Sequence, residues 1–117
     1  MIEITQLYSI FEECWSIKSS SKWEEGNPSK GQCSVTALVV HDYFGGNILK
    51  TNVNGQWHSY NIIDNQVLDL TSRQFNTPID YQDIESTVEE ALSDCSQRQY
   101  EYLREQFATH YLEISKK

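Results

Sequence analysis

The segment Gly31-Gln32-Cys33-Ser34-Val35-Thr36-Ala37-Leu38-Val39-Val40 constrains the fold more than any other stretch of this chain. A loop rich in turn formers, Gly26-Asn27-Pro28-Ser29-Lys30-Gly31, leads into an apolar run that stops at Gly45-Gly46. Loop, apolar run and glycine stop together predict a helix from about Cys33 to Phe44, with Cys33 in its first turn. Open amide groups and the positive dipole end at a helix start stabilise a thiolate, so this position favours a nucleophilic cysteine.

The flanking sequence supplies partners for that helix. Ile4, Leu7, Tyr8, Phe11, Cys14 and Trp15 recur at helical spacing within residues 2–17, giving a first helix with one apolar stripe. Ser19-Ser20-Ser21 ends it, and a loop runs through Trp23 to Lys30. After the central helix, Ile48 to Val53 reads as a strand, and Asn54-Gly55 is a strong two-residue hairpin signal. A second strand follows over Gln56 to Ile63, then the turn Asp64-Asn65 and a third strand over Gln66 to Thr71. Beyond Thr77-Pro78-Ile79, helices are expected from about Asp83 to Ser93 and from about Ser96 to Ile114. The last carries Tyr100, Leu103, Phe107, Tyr111 and Leu112 on its apolar face. The expected fold class is α+β: a small antiparallel sheet of three or slightly more strands, packed by helices around the cysteine-bearing one. The 117 residues read as a single domain, 1–117, large enough to bury a core without staples.

Charge and cysteine usage limit the partners. A net charge of −8 argues against nucleic acid, whose phosphates need a basic face. No apolar run approaches the length of a membrane span, and no basic-then-apolar leader opens the chain, so no membrane association is expected. Three widely spaced cysteines, an odd number, point to a reduced, cytoplasmic protein. Asp80, Asp83, Glu85, Glu89, Glu90 and Asp94 form an acidic run without an intervening base. It reads first as a solvated surface and alternatively as a docking face for a basic protein partner.

The tight turns allow a test of whether Cys33 has catalytic company. If Asp64 and Asn65 are the two turn residues, His58 faces Thr71 across the ladder and Asp69 faces Tyr60. His58 and Asp69 are then diagonal neighbours on one face, within reach of an imidazole and a carboxylate. A slip of one residue would part them. In this arrangement Cys33 is the nucleophile, His58 the base and Asp69 the orienting acid, with backbone N–H groups at the helix start holding an oxyanion. Asn27 or Gln32 would add a side-chain donor, and Trp23, Trp57, Tyr60 and Tyr43 would wall the cleft. With a longer turn, Asn61 or Asp64 would replace Asp69. Each residue also has a plainer reading, in which Cys33 is a small buried hydrophobe, His58 a packed ring and Asp69 a strand end. Cys14, Cys95, His41 and His110 read as structural. One Cys, one His and one Asp without a close ligand pair do not make a zinc site, and the chain implies neither metal nor cofactor.

The block Gly31-Gln32-Cys33 with Thr36-Ala37-Leu38-Val39-Val40, Asp42-Tyr43-Phe44-Gly45-Gly46 and Ile48-Leu49 resembles the YunG-type family of small bacterial and phage proteins. Trp57-His58 with Tyr60-Asn61, Leu68-Asp69-Leu70-Thr71 with Gln74-Phe75, and the upstream Trp23 with Asn27-Pro28-Ser29-Lys30-Gly31 extend the likeness. The resemblance implies a shared architecture without an established activity. Its layout is similar to a pared-down papain or transglutaminase core, which implies a thiol hydrolase or acyltransferase acting on an amide, ester or thioester. So short a chain leaves little to build a long cleft, which implies a small-molecule or peptide-like substrate, or a cleft completed by a second subunit in a homodimer. The alternative is a non-catalytic module on the same fold that binds, sequesters or inhibits a small molecule or protein.

Overall fold

Helix α2 (Cys33–Phe44) is buried on all sides along most of its length: every residue from Ser34 to Val40 is inaccessible to solvent. A helix without a polar face must be enclosed by other elements. The computed structural model, which describes residues 3–115, shows what encloses it. Ile2, at the start of the expected first helix, lies outside the described residues. Helix α1 (Ile4–Cys14) and helix α4 (Gln97–Ser115) meet α2 in a core of Leu7, Ile10, Phe11, Val39, Leu103 and Phe107. Helix α3 (Val88–Ser93) packs Ala91 against Ala37 and Leu38, closing a second, smaller core with Ile48.

The remaining side is covered by an antiparallel sheet in the order β3-β2-β1-β4, built from β1 (Asn47–Val53), β2 (Gln56–Ile63), β3 (Gln66–Leu68) and β4 (Ile84–Glu85). The class is α+β. Both expected tight turns form, with Asn54 and Gly55, then Asp64 and Asn65, at positive φ as a two-residue hairpin of the primed type requires. The β2–β3 register places Asn61 opposite Leu68, as the two-residue turn dictates. Asn61 also joins the layers, its buried Nδ2 donating to the Ala37 carbonyl of α2 at 3.0 Å. No helix among the described residues is long and apolar enough to cross a membrane.

Three expected boundaries move, each for a local reason. The first helix stops at Cys14, because Trp15 turns extended (ψ 137°) and donates its indole Nε1–H to Thr36 Oγ1 at 2.9 Å. The third strand ends at Leu68 instead of Thr71, because the Asp69 carboxylate accepts from the Thr71 amide two residues on and turns the chain off the ladder. The segment expected as a helix from Asp83 begins instead as strand β4, which pairs Ile84 and Glu85 with Lys50 and Leu49. Helix α3 starts only after Thr87, whose hydroxyl caps the Glu90 amide at 3.0 Å. The acidic run is accordingly woven into the fold at three places. Asp83 accepts from Tyr60, Glu90 pairs with Lys50, and Asp94 accepts from Ser34.

Candidate functional site

Cys33 opens α2, and among the described residues no side chain caps that helix start. The first-turn amides and the dipole therefore act on whatever occupies the position, here a thiol. Gly31 enables the approach. It holds φ +74°, and a Cβ there would lie 2.5 Å from Ser20 Oγ and 2.7 Å from Lys22 Cβ. Only glycine lets the loop pass that close before the helix begins. Gln32 fixes the loop from inside: it is fully buried, and its Oε1 accepts from Ser19 Oγ at 2.8 Å.

Strand β2 brings His58 beneath this helix start. The ring is buried, packed edge-on by Phe75 with centroids 5.0 Å apart. Its Nε2–H donates to Asp69 Oδ2 at 2.7 Å, and both side chains are almost inaccessible (1% and 4%). A carboxylate only accepts, so the proton of this bond sits on Nε2 and the basic lone pair of the neutral ring sits on Nδ1. Nδ1 is buried and, among the described residues, has no hydrogen-bond partner. Asp69 is itself locked. Its Oδ2 also accepts from Tyr81 Oη at 2.8 Å, and its Oδ1 accepts from the Thr71 amide and hydroxyl at 3.1 and 3.3 Å.

Cys33 and His58 perturb each other. Burial alone would raise the thiol's pKa, but the neighbouring His58, the Ser59 backbone amide and the Ser34 hydroxyl outweigh it and hold the thiol below its ordinary value. Burial likewise opposes charge on His58, yet the hydrogen-bonded Asp69 carboxylate and the nearby Cys33 lift it to about 9. The two shifts run in opposite directions, thiol down and imidazole up, because each group favours the charged form of the other. The other two cysteines go the opposite way: burial pushes Cys14 up to about 12 and Cys95 up to about 11.

These groups meet on a cleft of about 800 Å³ lined by Cys33, Trp57, His58, Gln74, Phe75 and Cys95, with Lys22 and Lys30 on its rim. Of the aromatic residues expected to wall it, Trp57 does so, 54% exposed with Lys50 Nζ 4.4 Å from its ring centre. Tyr60 is buried, donating to Asp83 Oδ1 at 2.6 Å and accepting from the Asp83 amide at 2.8 Å. Trp23 packs against the main core, and Tyr43 meets Phe107 and Tyr111 edge to face. Asn27 stands behind the cleft, its Nδ2 donating to the Gln74 carbonyl at 3.2 Å. Asn61 is engaged by α2 and Asp64 sits in the β2–β3 turn, so Asp69 alone among the three considered acids and amides is bonded to His58. Tyr81, Thr71 and Gln74 are the site residues that spacing did not reveal. Only the Asp69-x-Thr71 pair carries a readable signal, that of an Asx turn. No cluster of three or more His, Cys, Asp or Glu among the described residues is arranged to hold a metal ion.

Fold and site together define a small α+β protein with a cysteine, an imidazole and a carboxylate gathered where a buried helix starts. The YunG protein family model matches residues 3–112, and the chain belongs to that family. Over 106 residues it is 54% identical to a Bacillus subtilis (strain 168) protein called Uncharacterized protein YunG, covering 91% of this chain and 92% of that one. No solved structure matches the chain.

Proposed function

We propose that this protein is a thiol-dependent hydrolase or acyltransferase with a papain- or transglutaminase-like arrangement of Cys33, His58 and Asp69. The observation that carries the reading is the convergence of two independent features on one cleft: an uncapped helix start bearing Cys33, and a buried His58 whose Nε2 is held by Asp69 while Nδ1 stays unpartnered. In this reading Nδ1 takes the thiol proton, and Asp69 fixes the tautomer and stabilises the imidazolium. The thiolate attacks the carbonyl carbon of an amide, ester or thioester, and His58 returns the proton to the leaving group. Water or an amine then releases the acyl group from sulfur. The cleft suits a small-molecule or peptide-like substrate, with Trp57 as its aromatic wall.

Acylation tests this directly. Incubation with p-nitrophenyl acetate, followed by peptide mass spectrometry, should place an acetyl group on Cys33 and none there in Cys33→Ser. Absence of any acetylated Cys33 in a folded protein overturns the reading and leaves a non-catalytic binding module on the same cleft.

A further inference from the structure

An acyl-transfer site needs donors for the oxygen that becomes negative, and the amides expected for this, Asn27 and Gln32, are already engaged. Asn27 Nδ2 donates to the Gln74 carbonyl at 3.2 Å. Gln32 is fully buried between Ser19 Oγ (2.8 Å) and the Ser16 carbonyl (3.5 Å). Gln74 differs. It ends the short 3₁₀ turn Ser72–Gln74 that directly follows the Asp69–Thr71 turn, and it lines the cleft with Cys33 and His58. Its Oε1 accepts from the Gly31 amide at 3.1 Å, which settles which end of the amide is nitrogen, since an N–H requires an acceptor. The remaining Nε2 is buried and, among the described residues, lacks any hydrogen-bond partner. Buried amide donors are almost always satisfied, so one left unpaired in the wall of the cleft that also holds Cys33 calls for an acceptor that arrives with a ligand.

We propose that Gln74 Nε2, together with the Cys33 backbone N–H, forms the oxyanion pocket of this site. The assignment rests on the acyl-transfer reading above. When the Cys33 thiolate adds to an ester carbonyl, the C–S bond forms and the π pair moves onto oxygen. Gln74 Nε2–H and the amide at the helix start donate to that oxyanion. Collapse re-forms the carbonyl, breaks the C–O bond and expels the alkoxide or phenolate, leaving an S-acyl cysteine. Gly31 and Asn27 act as positioning residues, holding the side chain and backbone of Gln74 in place.

Two probes of one thiol separate this role from a structural one. Iodoacetamide alkylates by displacement: the S–C bond forms as C–I breaks, iodide leaves, and no oxyanion develops. p-Nitrophenyl acetate acylates through one. Gln74→Ala and Gln74→Glu should each lower the ratio of acetylation rate to alkylation rate at Cys33 on the order of a hundredfold, as loss of one oxyanion donor does elsewhere, the ratio cancelling any change in the thiolate fraction. Gln74→Glu keeps an acceptor for the Gly31 amide, so a lowered ratio in both variants locates the effect in the missing donor and not in the Gly31 contact. Acetylation at the wild-type rate in both variants, or acetylation and alkylation falling in parallel, overturns the assignment. A wild-type Cys33 that alkylates readily but never acetylates overturns the acyl-transfer reading instead, and this assignment with it.

Discussion

His58 Nε2 donates to Asp69 Oδ2 at 2.7 Å inside the protein, and that one bond decides which ring nitrogen faces the thiol. With Nε2 committed, Nδ1 is the only basic atom of the ring. Asp69 in turn is committed to Tyr81 and Thr71, so the carboxylate is fixed and the imidazole cannot turn without losing its one hydrogen bond. Geometry of this kind sets protonation states ahead of any substrate.

Removing the charge on Asp69 should therefore be felt at Cys33. In Asp69→Asn the amide oxygen can still accept from His58, but the negative charge that supports imidazolium is gone. His58 falls from its raised value of about 9, the thiolate loses its partner, and alkylation of Cys33 near pH 7 should slow on the order of tenfold, one pKa unit's worth. Iodoacetamide kinetics on the variant provide the check, and an unchanged rate would contradict the role given to Asp69.

The pair also has a signature in stability. A histidine raised in the folded state contributes stability that is complete below its ordinary 6.5 and is lost as pH climbs through about 9. Cys33, lowered in the folded state, contributes in the opposite sense: its share is present above the ordinary thiol range and lost as pH falls through the folded value. In the wild type the two trends offset. Cys33→Ala removes one of them while Asp69 still holds His58 up. Its urea stability should then decline by about 1 kcal/mol between pH 6.5 and 9, with a flat profile counting against the Asp69–His58 coupling.

Sequence patterning reached the central helix, both tight turns and the β2–β3 register because each rests on local chemistry: a glycine stop, Asn-Gly, Asp-Asn. His58 and Asp69 meet beyond that ladder: β3 ends at Leu68, and the turn at Asp69, not a strand pairing, carries the carboxylate to the ring. What patterning missed was set by long-range contacts. Trp15 reads as the end of a helical stripe until its indole finds Thr36, twenty-one positions on. Ile84 and Glu85 look like the start of a helix, yet the open edge of β1 claims them. Gln32 beside the cysteine looks like a site residue but is consumed by Ser19, whereas Gln74, far along the chain, is delivered to the cleft by the turn after Asp69.

Gly31 should be irreplaceable for the approach to Cys33. In Gly31→Ala the added methyl meets Ser20 Oγ at 2.5 Å and Lys22 Cβ at 2.7 Å, on a backbone at φ +74° that L-residues avoid. A loss of about 1–3 kcal/mol in chemical denaturation is expected, with Cys33 alkylation slowed as the loop shifts. A variant as stable as the wild type would show that the loop has slack.

Phe107 tests the core apart from the chemistry. It is fully buried and stacks on Phe11 with ring centres 4.6 Å apart. Phe107→Ala should cost about 3–5 kcal/mol in denaturant unfolding, while the pH profile of Cys33 alkylation in the folded fraction stays that of the wild type. A loss below about 1 kcal/mol would mean that the α1–α4 contact matters less than its packing indicates.

The most direct test of a Cys33–His58 pair is the pH dependence of iodoacetamide alkylation, followed cysteine by cysteine by mass spectrometry. Cys33 should react fast well below pH 8, and His58→Ala should shift that reactivity toward the ordinary thiol range. Cys14 and Cys95, pushed up to about 12 and about 11, should stay inert in the folded protein and serve as internal references. A Cys33 that reacts only in the ordinary thiol range, or not until the protein unfolds, would contradict the account at its centre.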